Sequence, residues 1–432
     1  MVSRILSSEL KKYLDQEVTL KGRVYNLRKL GKMNFLILQD EKELVQCLIE
    51  KEVTQMPAEK IRPGDLIQIN GVAKEDSRAP MGVEIKCQKI SFINRIVEDL
   101  PFDLTKKEIH LQLSTLFDHR ALTLRNEKVR QIFRLEGEIL SSYSQIMRDL
   151  GCQEIKTPKI IGAASEGGAN FFSVNYFGRR AFLAQSPQLY KQICVGAFGR
   201  VFEVGPALRA EKHFTTRHLN EYISLDAEIG FIDDWSEIMD HLDYVVQAIV
   251  KEINQKYQNI FSQFGVSEIK ISKKIPRMKL SEAKEILQQK YSHQVDKNED
   301  LDPEGEKLVG QYILGKFNSD FVFLTHYPRK KRPFYTMPDG EDETKSFDLV
   351  YRGLEISSGG QRIHQYQDLI DNIGKKGLNP EDFKFYLEAF KYALPPHGGW
   401  GLGLERIVAK TLNLPTVKEA SLFPRDVKRL VP

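Results

Sequence analysis

The sequence predicts an α+β protein built from two unlike parts, and three observations carry that expectation. The first hundred residues hold five short stretches in which apolar and polar side chains alternate with period two, the mark of half-buried strands. Near Glu127 the apolar spacing changes to three and four, which is that of an amphipathic helix. Beyond it, apolar strand-like and helix-like stretches alternate over about 300 residues, enough for a mixed domain around an antiparallel sheet.

Composition narrows the class. A chain of 432 residues exceeds one ordinary domain, and 41% hydrophobic with 28% charged residues suits a protein that buries a sizeable core. No window approaches the ~18 uninterrupted apolar residues of a membrane helix. The N-terminus meets Glu9, Lys11 and Lys12 before any apolar run develops, which speaks against a secretory signal. Cys47, Cys87, Cys152 and Cys194 are scattered without a CxxC pair, so no zinc site or disulfide framework is expected and a cytoplasmic setting is. The balance of 63 Lys+Arg against 59 Asp+Glu permits a nucleic-acid partner without requiring one.

The elements follow in chain order. Val18-Thr19-Leu20-Lys21-Gly22-Arg23-Val24 alternates, and Phe35-Leu36-Ile37-Leu38 follows a turn at Gly31-Lys32. Leu44–Ile49, Leu66–Val72 and Val83–Cys87 complete the set, with one polar, helix-prone insert at 51–61. Short strands in this number predict a small closed barrel, an OB-fold in the first instance, although any five-stranded barrel satisfies the same pattern. Leu100-Pro101-Phe102-Asp103 ends the strand pattern. The domains expected are a barrel at 1–100, a polar linker at 101–125 and a larger domain at 126–432. In the last, Ile132, Leu135, Ile139, Tyr143, Ile146 and Leu150 form a helical stripe that stops at Gly151. Strands are expected at 201–204 and 222–231, helices at 236–256 and 380–392.

Three clusters carry the chemistry. Arg209-Ala210-Glu211, Arg217-His218 and Tyr222, with Asp226 and Glu228 after them, crowd cations, an aromatic and carboxylates onto a strand, a loop and a returning strand. Guanidinium forks suit phosphate oxygens, though a salt-bridged hairpin would look the same. In the second cluster, Asp348, Glu355 and Ser358 precede Gly359-Gly360-Gln361-Arg362. Two carboxylates beside phosphates suit magnesium, but their odd spacing opposes them on a regular strand unless it bends or a bulge intervenes, and without context they read as solvated strand charges. The third runs His397-Gly398-Gly399-Trp400-Gly401-Leu402-Gly403 into Leu404-Glu405-Arg406, read as glycine-rich turns before a helix that would cradle phosphate.

In this order the clusters resemble motifs two and three of the class II aminoacyl-tRNA synthetases, with motif one matched by the helix at 129–150 and the segment through Pro158. Gln185-Ser186-Pro187-Gln188-Leu189-Tyr190-Lys191-Gln192 and Ser165-Glu166-Gly167-Gly168 narrow the resemblance to the aspartyl-tRNA synthetase family, and Pro333-Phe334-Tyr335-Thr336-Met337-Pro338 to its archaeal and eukaryotic type. The resemblance spans essentially the whole chain. It implies ATP-dependent activation of L-aspartate to aspartyl-adenylate, transfer to the 3′ end of tRNA(Asp), a Mg2+ cofactor and a homodimer.

The resemblance also assigns roles. Arg209 would hold the α-phosphate, Glu211 the adenine amino group or the tRNA end, and Arg217 and His218 the outer phosphates. Tyr222 would stack under adenine with Arg406 on its other face. Asp348, Glu355 and Ser358 would hold magnesium. Glu166, Gln188 and Asp226 would bind the substrate α-ammonium, and Lys191 with Arg362 its side-chain carboxylate, Ser358 lying beside them. Paired cations choose aspartate over neutral asparagine, and Lys191 speaks against an asparaginyl enzyme.

In the barrel, Lys21, Arg23, Arg28, Lys29 and Lys32 form a basic run that would otherwise read as a solvated face. Tyr25, Arg28, Phe35, Gln46, Pro80 and Glu84 match the family's anticodon contacts, where stacking and edge hydrogen bonds read unpaired bases. Proline at 80 offers no N–H donor to the third anticodon base. The expectation is a relaxed enzyme that also places aspartate on tRNA(Asn). Pro80 would equally well rigidify a turn, which leaves a strictly tRNA(Asp)-specific enzyme open.

Overall fold

The computed structural model describes residues 4–30, 33–50, 52–57, 60–79, 81–106, 108–162, 171–212 and 214–431. Of the expected functional positions, Lys32, Pro80 and Glu166, and the side chain of Lys29, lie outside the described residues. The chain forms two compact units, one of residues 1–112 and 121–127, the other of 113–120 and 128–432.

In the first unit, β1 (Glu17–Leu30), β2 (Met33–Gln39), β3 (Leu44–Glu50), β4 (Leu66–Glu75) and β5 (Val83–Asn94) close a barrel in the order β1-β2-β3-β5-β4. The β3–β5 pair is parallel and the others antiparallel. Alternation explains it: Val18, Leu20, Leu36, Leu38, Val45, Cys47, Ile67, Ile69, Ile85 and Cys87 all turn inward and are buried. The insert at 51–61 is not helical among its described residues. Gln55 instead exchanges backbone hydrogen bonds with β5, donating to Gln88 O and accepting from Ile90 N, while Thr54 Oγ1 donates to Cys87 O. An available sheet edge outweighs weak helical propensity there.

The second unit is organised by an eight-stranded sheet. Its order is Arg277–Lys279, Phe321–Thr325, Ser346–Tyr351, Leu354–Gln361, His397–Gly403, Glu221–Gly230, Arg200–Leu208 and Gln153–Glu154. The central six strands pair antiparallel, as expected, but each outermost short strand pairs parallel, so the sheet is mixed. Helix Glu127–Asp149 covers one face through Ile132, Leu135, Ile139, Tyr143 and Met147. The stripe thus continues at spacing four to Met147, and Ile146 and Leu150 sit at its half-buried margin. The expected linker is not all loop, since Leu113–Asp118 and Arg120–Thr123 are helical. Arg120 is buried and caps the carbonyls of Leu422 and Ser421 from the chain's far end.

His397–Gly403 differs from its expectation most. It is a central strand, not a turn, and its glycines answer to crowding. A Cβ on Gly399 would lie 2.1 Å from Ala227 O and 2.4 Å from a carboxylate oxygen of Glu228. Only glycine lets these two strands approach while acidic side chains point between them.

Candidate active site

Seen from this sheet, the three clusters become neighbours. Strands Leu354–Gln361, His397–Gly403 and Glu221–Gly230 lie side by side, with Ser358↔Gly401 and Asp226↔Gly401 in direct register. The missing side chain at Gly401 leaves a cleft of about 270 Å³ over the middle of the sheet. Of the expected residues, Gln188, Arg209, Glu211, Arg217, His218 and Tyr222 line it from one side, and Glu355, Ser358, Arg362 and Arg406 from the other, with Asp226 in its floor.

The floor is a buried charge lattice. Lys191, on helix Gln188–Phe198, donates from Nζ to Asp226 Oδ1 at 3.0 Å, to Trp400 O at 2.8 Å and to Ala227 O at 3.3 Å. Glu228 Oε2 is 3.4 Å from the same ammonium. Arg362 completes the lattice, its Nε donating to Glu228 Oε1 at 2.8 Å and its Nη2 to Oε2 at 3.3 Å. Burial works against ionised Glu228, but Arg362 and Lys191 outweigh it and hold the carboxyl below its usual range. Two cations and two anions offset one another here. Lys191 therefore lies beneath the cleft wall with its donors engaged and does not line the cleft, whereas Arg362 reaches it.

The side of the cleft that holds Arg209 and Tyr222 is looser. Arg209 rests over the Tyr222 ring with its guanidinium carbon 5.6 Å from the centroid. Asn220 fastens the loop by donating to Arg209 O and Glu211 O. Glu211 stands 3.4 Å from His218 Nε2, and Arg217 pairs with Glu306. Burial raises the Glu306 carboxyl to about 7, against the pull of Arg217. Across the cleft Arg406 Nη1 donates to Glu355 O at 2.8 Å and lies 3.6 Å from Glu355 Oε1.

Asp348 and Glu355 do converge, but because they stand on two strands of a hairpin, Ser346–Tyr351 and Leu354–Gln361, and not on one bulged strand. The pair Val350↔Glu355 sets Glu355 on the face of Asp348, and the register slip between Leu349 and Val350, which leaves Ile356 unpaired, brings Ser358 onto that face as well. Ser358 Oγ donates its one proton to Asp348 Oδ1 at 2.7 Å, and Glu355 Oε1 lies 3.2 Å from the same hydroxyl. Burial pushes the Asp348 carboxyl up even though Arg332, 2.7 Å away, opposes it. Asp348 lies behind Ser358 and is not in the cleft wall.

Several residues escaped sequence reasoning. Arg332 ends the basic run from Arg329, and nothing local distinguishes it as the member that pairs with Asp348. Glu306 lies on the helix Pro303–Phe317, far from any motif. Glu228 was named in the first cluster without a role, though its even spacing from Asp226 on strand Glu221–Gly230 puts both acids on one face. In the barrel, register aligns Arg28↔Phe35 and Gln46↔Glu84 on one face, and Gln46 Nε2 donates to Glu84 Oε2 at 3.1 Å. Tyr25 sits at the bulge between Val24 and Asn26, its hydroxyl 3.3 Å from Leu104 O.

Comparison with known proteins agrees with this geometry. The profile of class II tRNA synthetases (D, K and N) matches residues 112–427, and that of the OB-fold nucleic acid binding domain residues 18–93. The chain is 41% identical over 429 residues to the aspartate–tRNA(Asp/Asn) ligase of Thermus thermophilus, covering 99% of this chain and 100% of that one. It is 42% identical over 437 residues to the aspartate–tRNA(Asp) ligase of Thermococcus kodakarensis, covering 99% of each. Among solved structures, asparaginyl-tRNA synthetase from Pyrococcus horikoshii complexed with asparaginyl-adenylate superposes with a TM-score of 0.92 at 28% identity over 100% of both chains. A putative aspartyl-tRNA synthetase from Leishmania major gives 0.88 at 29%, over 100% of this chain and 95% of that one. By sequence match over both its parts, the chain belongs to the class II tRNA synthetases of the D, K and N group, with an OB-fold nucleic-acid-binding domain.

Proposed function

We propose that this chain attaches L-aspartate to tRNA(Asp) through aspartyl-adenylate, at the expense of ATP. The observation that carries the reading is the buried lattice of Lys191, Asp226, Glu228 and Arg362 under the cleft that holds Arg209 and Arg406. Arg362 commits Nε and Nη2 to Glu228, and its remaining Nη1 suits the side-chain carboxylate of the substrate, with the Lys191 charge close beneath. Asp226 and Gln188 offer acceptors to the α-ammonium. The α-carboxylate is already an anion and attacks the α-phosphorus without a base, so positioning and charge stabilisation carry the step. Arg209 is suited to the α-phosphate, Tyr222 and Arg406 to the two faces of adenine, and Arg217 and His218 to the outer phosphates.

Asp348, Glu355 and Ser358 fit a magnesium ion, since all three offer hard oxygen donors that already meet at one hydroxyl. Bound there, the ion would neutralise polyphosphate charge. The barrel face of Arg28, Phe35, Gln46 and Glu84 suits unpaired anticodon bases. A homodimer in the cytoplasm accords with the motif-one helix and Pro158, with closed two-fold pairing as the commonest assembly, and with tRNA as partner.

A second reading extends the first. Relatives named for both tRNA(Asp) and tRNA(Asn) stand beside those named for tRNA(Asp) alone, and proline at 80 supplies no donor. We therefore read the enzyme as relaxed, placing aspartate on tRNA(Asn) as well. The test offers aspartate and asparagine to each of the two transcripts. Aspartate alone should be charged, and kcat/KM for the two tRNAs should differ by less than roughly a hundredfold, near 3 kcal/mol. Efficient charging of asparagine would overturn the first reading, and a larger tRNA preference only the second.

A further inference from the structure

Behind the cleft, a buried relay of polar side chains leads away from Gln188 and takes no part in the reaction described above. It starts at His397, whose Nδ1 lies 2.8 Å from Pro395 O. A carbonyl only accepts, so Nδ1 carries the proton and Nε2 presents a lone pair. The amide atom of Gln192 at 2.9 Å from that Nε2 must then be its nitrogen, which turns Oε1 of Gln192 the other way. Two donors meet that oxygen, Gln188 Nε2 at 2.9 Å and the Tyr386 hydroxyl at 3.1 Å. All four side chains are buried. Burial also holds His397 neutral, its pKa lowered to about 4. Every polarity in the relay therefore follows from one backbone carbonyl.

The end of the relay faces the cleft. Gln188 lines the cleft and turns its NH2 toward Gln192 to donate there, which leaves Oε1, an acceptor, as the amide atom turned away from Gln192. An amide free to rotate would present a donor in part of its population, and a donor repels an ammonium group. We infer that His397 and Gln192 are positioning residues that hold Gln188 with its carbonyl toward the cleft, and that they thereby select a substrate carrying an α-ammonium. The inference rests on the aspartate reading and adds to it the device that orients the ammonium contact.

Succinate, the same dicarboxylate without the ammonium, separates orientation from general loosening. In ATP–pyrophosphate exchange, Gln192→Leu should raise KM for aspartate about tenfold or more, with kcat and KM for ATP nearly unchanged. The inhibition constant of succinate should not move. Gln192→Glu should stay near wild type, because a carboxylic acid donates its O–H to His397 Nε2 and accepts from Gln188 through its carbonyl. If Gln192→Leu yields no folded protein, His397→Phe removes the anchoring acceptor and should show the same split. Equal weakening of aspartate and succinate, no change in either, or Gln192→Glu as impaired as Gln192→Leu would each overturn the inference. Gln188→Ala serves as the reference: if it leaves KM for aspartate unchanged, the aspartate reading itself fails. If it raises KM while Gln192→Leu does not, only the relay fails.

Discussion

At the scale of single residues, burial decides which charges matter. Lys191 balances Asp226 and Glu228 where water does not reach, and removing one partner of such a set leaves uncompensated charge. Lys191→Leu should cost about 3 kcal/mol or more of folding stability. It should also lower kcat/KM for aspartate by far more than that for ATP. Thermal unfolding together with pyrophosphate exchange checks both halves, and an unchanged kcat/KM for aspartate would sink the substrate assignment. Glu405 predicts a pH dependence. Its carboxylate accepts the Ile223 N–H at 3.0 and 3.1 Å, and burial lifts it from 4.5 to about 8. A carboxyl raised in the fold stabilises it fully below the unfolded pKa and loses that contribution as the pH climbs through the folded one. Glu306, raised to about 7, acts in the same direction. Stability should therefore decline between about pH 5 and pH 8, and Glu405→Gln, which keeps an acceptor for Ile223, should flatten that decline. Denaturant midpoints across the range measure it, and identical slopes for variant and parent would refute the account.

At the scale of elements, what could be read from sequence was whatever local periodicity encodes. Five barrel strands, the helix that begins at Glu127 and the strands around Arg209 and Tyr222 all follow from apolar spacing. Asp348 and Glu355 were expected to meet only if one strand bent or bulged, whereas a hairpin turn at Arg352-Gly353 sets them on one face of two strands. What stayed hidden depends on distant partners. The sequence of 51–61 carries helical propensity, yet Thr54 and Gln55 within it bond to an edge that lies some thirty residues later in the chain. Glycines in His397–Gly403 suggest a turn because glycine is a poor strand former, and only the neighbouring strand reveals the crowding they relieve. That crowding is testable. Gly399→Ala should destabilise the protein by about 3 kcal/mol or more, the upper range for overpacking, because backbone and Glu228 both stand within contact of the added methyl. A melting temperature equal to that of the parent would mean that these strands separate more readily than the geometry implies.

At the scale of the whole molecule, the cleft gathers side chains from Gln188 to Arg406, so no sub-fragment of the second unit holds a complete site. The dimer proposed above is expected to be seen as twice the 49.7 kDa chain mass by light scattering, and a fully active species of single mass would overturn it. The way Lys191 is held has a further consequence for anyone redesigning the enzyme. Two of its three donors end on main-chain oxygens, those of Ala227 and Trp400, which no mutation can delete. Exchanging lysine for an uncharged side chain would take one hydrogen bond from each of those oxygens and leave two acids short of a counter-charge. Retooling this pocket for a neutral amino acid is thus a problem of coordinated replacement, in which the strand beneath must be re-plumbed before the ligand above can change.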